Sequence, residues 1–195
     1  MSHNSSDLRV IKNRKAIQDA MLSLLESKPF DDITIQDIAT QALISRATFY
    51  RHYEDKFLLI EAMLEERIAP LAAHFRQSTG KNTDLSAGWL LLFEHIAASK
   101  SFYRAVLGKH GSLFIRSYVQ NLIGDLLIEQ FRVTGLDPQR GEIPFDVNAQ
   151  FISNAFLGVV VWWLENELPY PPEQMAKWTM LLMAKGAYMG QSMLP

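Results

Sequence analysis

The sequence contains no cysteine among its 195 residues. Without thiols the chain can form no disulfide, and it offers no thiolate as a nucleophile, a zinc ligand or an iron–sulfur ligand. Long apolar runs are missing as well. The longest, residues 155–164, spans ten residues, whereas a membrane-spanning helix needs roughly 20. The first residues carry no apolar stretch of the kind found in a secretory signal. We therefore expect a cytoplasmic protein without a membrane partner.

An excess of positive charge is also missing. The chain has 19 lysines and arginines against 21 aspartates and glutamates, for a formal net charge of −2. Residues 1–67 have nine basic and eleven acidic side chains, so they lack the strongly basic balance that marks many nucleic-acid-binding domains. Any affinity for nucleic acid must come from local residues. One candidate is a group of four basic residues near the N-terminus, which could contact nucleic acid: Arg9, Lys12, Arg14 and Lys15. The alternative is that these side chains are merely a solvated charge cluster.

Helical periodicity runs through most of the chain. Apolar residues recur at helical spacing in Ile17, Met21, Leu24 and Leu25, as in a helix with one buried face. No stretch of four or more residues alternates between apolar and polar in the manner of a half-buried strand. The pattern therefore predicts an all-α fold, in which the 48% of hydrophobic residues supply a sizeable core.

Capping and breaking residues divide the chain into helices. Ser, Thr and Asp side chains accept backbone N–H groups at helix starts, and proline kinks or ends a helix. The residues concerned are Pro29, Thr34 with Asp37 as a capping box, Ser45, Asp55, Pro70 within or at the end of the fourth helix, and Asp146. The predicted helices cover residues 9–27, 35–41, 46–52, 56 onward, 86–99, 101–107, 112–134, 146–166 and 173–189, with a polar linker over residues 78–86.

Two of these helices, 35–41 and 46–52, are separated by Ala42-Leu43-Ile44, a spacing typical of a helix-turn-helix. At 100° per residue, Phe49 and Tyr53 share the inward arc of the second helix. Small and polar groups on the outward arc are suited to base edges, and cations and hydroxyls at its edge are suited to phosphates. The outward arc carries Ala47, Thr48, Arg51 and His52, and its edge carries Arg46 and Tyr50.

The segment ITIQDIATQALISRATFYRHYEDKFLLIEAML, preceded by AIQDAMLSLLESKPFDD, resembles the N-terminal DNA-binding domain of TetR/AcrR-type transcriptional regulators over residues 9–64. The resemblance implies a homodimer that places two recognition helices in successive major grooves of double-stranded DNA. It also implies a phosphate contact for Lys56, where free backbone N–H groups at a helix start favour an anion. The residues that we place at the DNA are Thr34, Gln36, Ser45, Arg46, Ala47, Thr48, Tyr50, His52 and Lys56.

One residue departs from the family pattern. The family commonly has glycine or asparagine in the turn where this chain has Leu43. That position often needs a positive φ, which strains a leucine. We therefore expect either a strained turn or one that is built slightly differently.

The rest of the chain is rich in aromatic residues and has two long helices, near residues 148–164 and 175–188, that are apolar almost all round. Such helices must be covered on all sides, and a four-helix bundle with a second copy would cover them. By resemblance to the family, some aromatic residues would line a site for a small apolar or aromatic ligand. The residues chosen for this site are Phe93, Phe102, Tyr103, Phe114, Tyr118, Phe156 and Trp163.

These features predict a helix-turn-helix DNA-binding domain over residues 1–56, with a flexible arm over 1–8, and a ligand-binding and dimerisation domain over 57–195. The protein would be a ligand-responsive transcriptional regulator, with a repressor as the default. The alternative is a coactivator or protein-interaction module that does not bind DNA directly. The segments FYRAVLGKHGS and VVVWWLENELPYPPEQM favour it because they resemble the family branch that includes an activator of dihydroxyacetone kinase genes.

A carrier or an enzyme on the same fold is the third hypothesis. No His-x₃-His or comparable pair of metal ligands occurs in the sequence, and neither glycine-containing segment has the spacing of a phosphate-binding loop. We therefore expect no metal, no cofactor and no catalytic residue.

Overall fold

A computed structural model describes residues 3–77, 85–134 and 144–192. Within those residues the fold is all-α, as predicted, with nine α-helices, one 3-10 helix at Phe30–Asp32 and no strand. The α-helices are α1 His3–Ser27, α2 Ile35–Gln41, α3 Arg46–Tyr50, α4 Lys56–Gln77, α5 Leu85–Ala98, α6 Lys100–Leu107, α7 Leu113–Thr134, α8 Phe145–Glu165 and α9 Pro172–Ser192.

The chain divides into two compact units. The first comprises Met1–Ile68 together with Ala105–Arg116, and the second comprises Ala69–Arg104 together with Ser117–Pro195. The first unit thus takes in the beginning of α4 and a segment from the middle of the chain, in addition to the residues 1–56 assigned to DNA binding. Residue 56 as a functional boundary stays a prediction.

The first unit is built on one face of α1. Ile17, Met21 and Leu25 follow one another at a spacing of four residues and are buried, and α1 packs on α2, which in turn packs on α3. Each fully buried aliphatic side chain contributes about 1.5–3 kcal/mol of hydrophobic stabilisation. The short helices α2 and α3 therefore depend on this face, because helices of five to seven residues are unstable alone.

Several helix ends differ from their predicted positions. Helix α1 begins at His3, so most of the expected flexible arm over residues 1–8 is helical. Helix α4 continues past Pro70 to Gln77, because Leu71 and Ala72 directly after the proline are buried and hold the helix in place. Helix α8 begins at Phe145 with Pro144 as its capping residue, which places Asp146 in the first turn. Most of the predicted linker, residues 78–84, lies outside the described residues.

The second unit has an aromatic core. Helix α5 packs along α9, and the Phe93 ring lies 5.6 Å from the Phe156 ring and 5.3 Å from the Trp163 ring. The Trp163 indole N–H donates to the carbonyl of Tyr170 at 2.8 Å. This bond satisfies the polar edge of a fully buried indole and ties the end of α8 to the connection that follows.

Residues 146–165 of α8 are apolar and long enough, by length and composition alone, to cross a membrane. The same property is found in core helices of proteins without membrane spans. Phe156, Val160 and Trp163 of this helix are buried against the rest of the second unit. A single helix of this kind is therefore weak evidence for a membrane span.

The start of α2 is held by the predicted capping box. The Thr34 hydroxyl accepts from the Asp37 N–H at 3.1 Å, and the Asp37 carboxylate accepts from the Thr34 N–H at 2.8 Å. Lys28 adds an ion pair to the same carboxylate at 2.7 Å. The hydrogen bond from Lys28, followed by those from Thr34, holds the pKa of Asp37 far below its ordinary value.

We expect Asp37→Asn to lower the free energy of unfolding at pH 7. A carboxylate whose folded pKa is depressed stabilises the protein above its unfolded pKa of about 4, and that contribution fades as the pH falls further. The difference in the free energy of unfolding between the natural protein and Asp37→Asn should therefore shrink below pH 4. Urea unfolding would measure it. Asp125→Asn, at an exposed carboxylate of α7, is the matched control. A difference that stayed constant with pH would contradict the assignment.

Candidate nucleic-acid interface

The turn between α2 and α3 adopts the conformation in which glycine is preferred. The Ile44 N–H donates to the Ala39 carbonyl at 3.0 Å and the Leu43 N–H to the Thr40 carbonyl at 3.2 Å, the hydrogen-bond pair of a Schellman motif. Leu43 has a φ of 56°, and its side chain is 93% exposed. The turn therefore keeps the family geometry at the expense of strain, about 1 kcal/mol relative to glycine.

Helix α3 is anchored at its start and along one face. The Ser45 hydroxyl accepts from the Thr48 N–H at 3.1 Å, which confirms Ser45 as the cap. The Phe49 side chain is completely buried, and Tyr53 beyond the end of the helix is buried as well. The inward direction predicted for both rings is confirmed, and it determines which residues of α3 face outward.

The prediction that Thr48 points outward is wrong. The side chain is 9% exposed, and its hydroxyl oxygen lies 3.0 Å from the Ser45 hydroxyl and accepts from the Arg51 guanidinium at 2.8 Å. A helical wheel considers only the direction around the axis. In a helix of five residues the capping residue and the residue after the last turn cover the flank as well.

The outward surface of α3 consists of Arg46, Ala47 and Tyr50, with Arg51 directly after the helix. The Arg46 guanidinium lies over the Tyr50 ring, 6.0 Å from its centre, and its Nη2 atom is 3.5 Å from the Tyr50 hydroxyl. Arginine and tyrosine thus support one another at the surface. Both side chains are exposed to solvent.

The predicted contacts on α2 and at the starts of α2 and α3 differ in whether their polar groups already form hydrogen bonds within the protein. Gln36 is exposed, and its amide donates to the Thr40 hydroxyl at 3.1 Å. The hydroxyls of Thr34 and Ser45 serve as helix caps. Since a capping hydroxyl is engaged with the backbone, Thr34 and Ser45 would meet a ligand mainly through their remaining surface.

His52 is half-buried beside Tyr53, with 6.5 Å between the ring centres. Burial lowers the pKa of His52 below its ordinary value, and the nearby charges of Arg51 and Arg14 lower it further. The imidazole is therefore neutral at pH 7. It can exchange one hydrogen bond with DNA, but it adds no positive charge to the surface.

The ammonium of Lys56 is used within the protein. Its Nζ atom donates to the carbonyls of Phe30, Asp31 and Ile33 at 2.9, 2.9 and 2.8 Å. Burial lowers the pKa of Lys56, an effect that Asp31 and Asp32 oppose. An ammonium has three N–H groups, so this arrangement argues against the predicted phosphate contact. Its acceptors are backbone carbonyls more than 20 residues earlier, which no sequence pattern marks.

His110 has a structural role, and no sequence pattern marks its partners. Its ring Nδ1–H donates to the Leu25 carbonyl at 2.9 Å, and its own carbonyl accepts from the Phe30 N–H at 2.9 Å. The segment Ala105–Arg116 is thereby fastened to the end of α1 and to the 3-10 helix. Phe114, one of the predicted ligand-site residues, belongs to this first unit, and its ring contacts Phe57 at 4.8 Å.

The other predicted ligand-site residues lie in the second unit. Tyr118 is half-buried, and the remaining five are buried: Phe93, Phe102, Tyr103, Phe156 and Trp163. They fall into the core cluster around Phe93 and a second pair, Phe102 and Tyr103, whose ring centres lie 5.2 Å apart. The His95 Nε2 atom is 2.8 Å from the Tyr103 hydroxyl, which places one polar pair among apolar neighbours. Their role in ligand binding stays a prediction.

In the part of the chain that the structure describes, no group of three or more histidine, aspartate or glutamate side chains is placed to hold a metal ion.

Comparison with known families matches both parts of the chain. Residues 17–63 match the bacterial regulatory proteins of the tetR family, and residues 83–185 match a transcriptional regulator C-terminal region of the same family. The chain belongs to the TetR family. The family and the relatives described next are transcriptional regulators, not enzymes.

Two relatives are similar to parts of this TetR-family chain. The HTH-type regulator YxbF of Bacillus subtilis is 38% identical over 77 residues, which are 39% of this chain and 20% of YxbF. The chain thus spans about a fifth of the length of that relative. DhaS of Lactococcus lactis, a transcriptional activator of the dhaKLM operon, is 26% identical over 62% of this chain and 63% of its own. The resemblance to the branch that includes this activator is thereby confirmed.

The fold agrees with that of a solved TetR-family repressor, FadR of Thermus thermophilus in complex with lauroyl-CoA. The TM-score is 0.61, with 93% of this chain and 95% of FadR covered, at 20% sequence identity. At this identity the similarity concerns the fold alone.

We expect Leu43→Gly to raise the free energy of unfolding of the first unit by roughly 0.5–1 kcal/mol, because glycine adopts a positive φ without strain and the leucine buries little surface. Thermal unfolding would measure the change. Leu113→Gly replaces another exposed leucine, at the first position of α7, and should bring no gain. A loss of stability in Leu43→Gly would mean that the side chain makes contacts that outweigh the strain.

Proposed function

We propose that this TetR-family regulator binds a palindromic operator as a homodimer and releases it in response to a small ligand, with a repressor as the default mode. The observation that carries the proposal is the outward surface of α3. It presents Arg46, Ala47 and Tyr50 to solvent, while Phe49 is buried behind them. Such a surface combines cations and hydroxyls for phosphates with a small side chain that permits close approach to base edges.

The proposed contacts divide into three groups. Arg46, Tyr50 and Arg51 would bind phosphates, whereas Ala47 and Gln36 would face the bases. Neutral His52 would add one hydrogen bond at either place. Thr34, Ser45 and Thr48 would act mainly by holding α2 and α3 in position through the hydrogen bonds described above.

Local ion pairs make this surface compatible with the low net charge. Arg14 pairs with Glu66, and Lys15 lies 3.4 Å from Asp19. These acidic side chains are thus neutralised within the first unit, and Arg9 and Lys12 remain exposed on α1. The steering of DNA would depend on a few cations, so we expect binding that is sensitive to salt.

The proposed dimer would form through α8 and α9. The Phe151 side chain is 70% exposed and that of Leu182 is 68% exposed. Several large apolar residues exposed on two successive helices mark a candidate interaction surface, whereas a single one does not. The exposed large apolar residues of these two helices are Val147, Phe151, Trp162, Trp178, Leu181 and Leu182. A second copy of the chain would cover them in a four-helix bundle, as the apolar pattern predicts.

The proposed ligand would bind among the aromatic residues of the second unit. Phe93, Phe156 and Trp163 provide an apolar surface, and the pair of His95 and Tyr103 provides a polar group close to it in sequence. The Thermus repressor with a similar fold binds lauroyl-CoA, so an apolar acyl chain is a suitable first ligand to test.

Ligand and DNA would be coupled through the spacing of the recognition helices. A dimer competent for DNA presents its two α3 helices about 34–36 Å apart, one turn of the duplex. A ligand that prefers another spacing by about 1–3 kcal/mol would reduce operator occupancy correspondingly. In this proposal the protein acts in the cytoplasm, where the operator and the ligand are both available.

The second candidate function is a coactivator that contacts another protein. It is favoured by the exposed Leu43 on the helix-turn-helix, since an apolar side chain there is suited to a protein surface, and by the similarity to the activator DhaS. Such a protein would not bind DNA by itself, so the binding experiment below separates the two functions.

We expect the protein to bind a labelled duplex taken from the DNA upstream of its own coding region, with an affinity that falls steeply as salt rises. Arg46→Ala should weaken binding and reduce the slope of log K against log salt by about one, because one phosphate contact is lost. Fluorescence polarisation would measure both. Lys100→Ala, at an exposed cation of the second unit, should change neither. Absence of salt-dependent binding to this duplex would favour the coactivator.

We expect Phe151→Glu and Leu182→Glu to weaken self-association at least about tenfold, because each would leave a charge in an apolar interface. Sedimentation equilibrium would measure the change. Leu113→Glu alters an exposed leucine of the first unit and should leave the dimer intact. If all three variants associated like the unmodified protein, α8 and α9 would not form the interface.

A further inference from the structure

Three backbone carbonyls converge on the side chain of Lys56. We propose that Lys56 is a positioning residue, which binds these carbonyls in order to hold the helix-turn-helix in shape and does not bind a DNA phosphate. The inference deepens the DNA-binding function proposed above and rests on it for its functional consequence. It also makes a statement about the fold of the first unit that can be tested without DNA.

The hydrogen-bonding capacity of the ammonium matches its surroundings. Its three N–H groups face the carbonyls of Phe30, Asp31 and Ile33, all within 2.9 Å. These carbonyls belong to the 3-10 helix and to the residue after it, near a helix end that leaves backbone acceptors available. The Phe30 carbonyl also accepts from the Ile33 N–H at 3.1 Å. Lys56 therefore acts as a cap for this helix end. Its Nζ atom also lies 4.7 Å from the centre of the Phe30 ring.

Both ends of these hydrogen bonds are fixed by other contacts. The Asp55 carboxylate accepts from the N–H groups of Phe57 and Leu58 at 2.8 Å each, which anchors the start of α4. On the other side, the Phe30 N–H donates to the His110 carbonyl. The bond between Lys56 and the carbonyls thus connects two points that are already held in place.

The hydrogen bond between Lys56 and Ile33 joins residues on either side of the helix-turn-helix, which explains its proposed effect on function. The acceptor Ile33 directly precedes the cap of α2, and the donor Lys56 is the first residue of α4. The helix-turn-helix, residues 34–55, is the whole of the chain between them. The hydrogen bond therefore closes the two ends of the recognition segment, and it restricts the tilt of α3 although it does not touch α3.

A phosphate contact would require different surroundings. The ammonium would have to release at least one carbonyl to bind a phosphate, and that carbonyl would lose a charged hydrogen-bond donor. Asp31 and Asp32 are exposed beside the lysine, and their charges would repel a phosphate at this place. A positioning role needs neither change.

The absence of cysteine from the chain permits a direct test. In full-length Lys56→Cys the single thiol can be alkylated in denaturant and the protein then refolded. Bromoethylamine adds an ammonium with three N–H groups at nearly the length of lysine. Bromoethyltrimethylammonium adds the same charge without any N–H group, and iodoacetamide adds a neutral group. The control is the protein with its natural Lys56, which has no thiol and is taken through the same alkylation and refolding.

Two measurements distinguish the effect of hydrogen-bond donation by the side chain at position 56 from the effect of its positive charge. The first is backbone hydrogen exchange of residues 34–50 followed by mass spectrometry, which does not involve DNA. The second is the affinity for the upstream duplex as a function of salt. We expect the aminoethyl adduct to restore slow exchange and affinity. In the trimethyl and acetamide adducts, the backbone N–H groups of residues 34–50 should exchange faster. The affinity of these adducts for the duplex should be lower by a factor on the order of ten or more, with an unchanged slope of log K against log salt.

A second variant guards against a side effect of the thiol chemistry. Lys56→Arg keeps the charge, but its planar guanidinium cannot direct three N–H groups at the same three carbonyls. We expect it to resemble the trimethyl adduct in both measurements. An acetamide adduct that did not refold, beside an aminoethyl adduct that did, would likewise support the role of the N–H groups.

The proposal is overturned if the trimethyl adduct and Lys56→Arg match the unmodified protein in exchange and affinity, while the acetamide adduct loses about one unit of salt slope. That result would identify a phosphate contact that works through charge. If the unmodified protein does not bind the duplex at all, the DNA-binding proposal fails, whereas the exchange data alone still decide whether Lys56 holds the segment.

Discussion

Helix α3, the proposed recognition helix, has only five residues, and a helix of that length is unstable in water unless the surrounding structure holds it. The burial of Phe49 provides that support, since its side chain is completely enclosed by the first unit. The Ser45 cap determines where the helix starts. The surface proposed to meet DNA therefore depends on packing behind it more than on any property of α3 itself.

The same dependence extends outward through the first unit. The turn before α3 keeps a positive φ at Leu43 although leucine is poorly suited to it, which shows that the packing of the two helices outweighs local strain. The Lys56 ammonium donates to the Phe30 carbonyl of the 3-10 helix, and the His110 carbonyl accepts from the Phe30 N–H. A residue from the middle of the chain thus helps to support the first unit.

The sequence was informative where chemistry is local. Capping side chains act within three residues, so the starts of α2, α3 and α4 were predicted from Thr34, Ser45 and Asp55. The inward direction of Phe49 followed from helical geometry. The family itself could be recognised because the order and spacing of these elements are specific to it, and the matches over residues 17–63 and 83–185 confirm it.

Other features depend on residues that are distant in sequence. Thr48 is covered by its neighbours at both ends of a short helix, which a wheel drawn for a long helix does not consider. The carbonyl partners of Lys56 lie 23–26 residues before it, and backbone acceptors leave no trace in residue type. Hydrogen bonds between residues close in sequence can thus be predicted from the residue types. Long-range hydrogen bonds to the backbone are decided only by the tertiary structure, because every residue supplies the same carbonyl group.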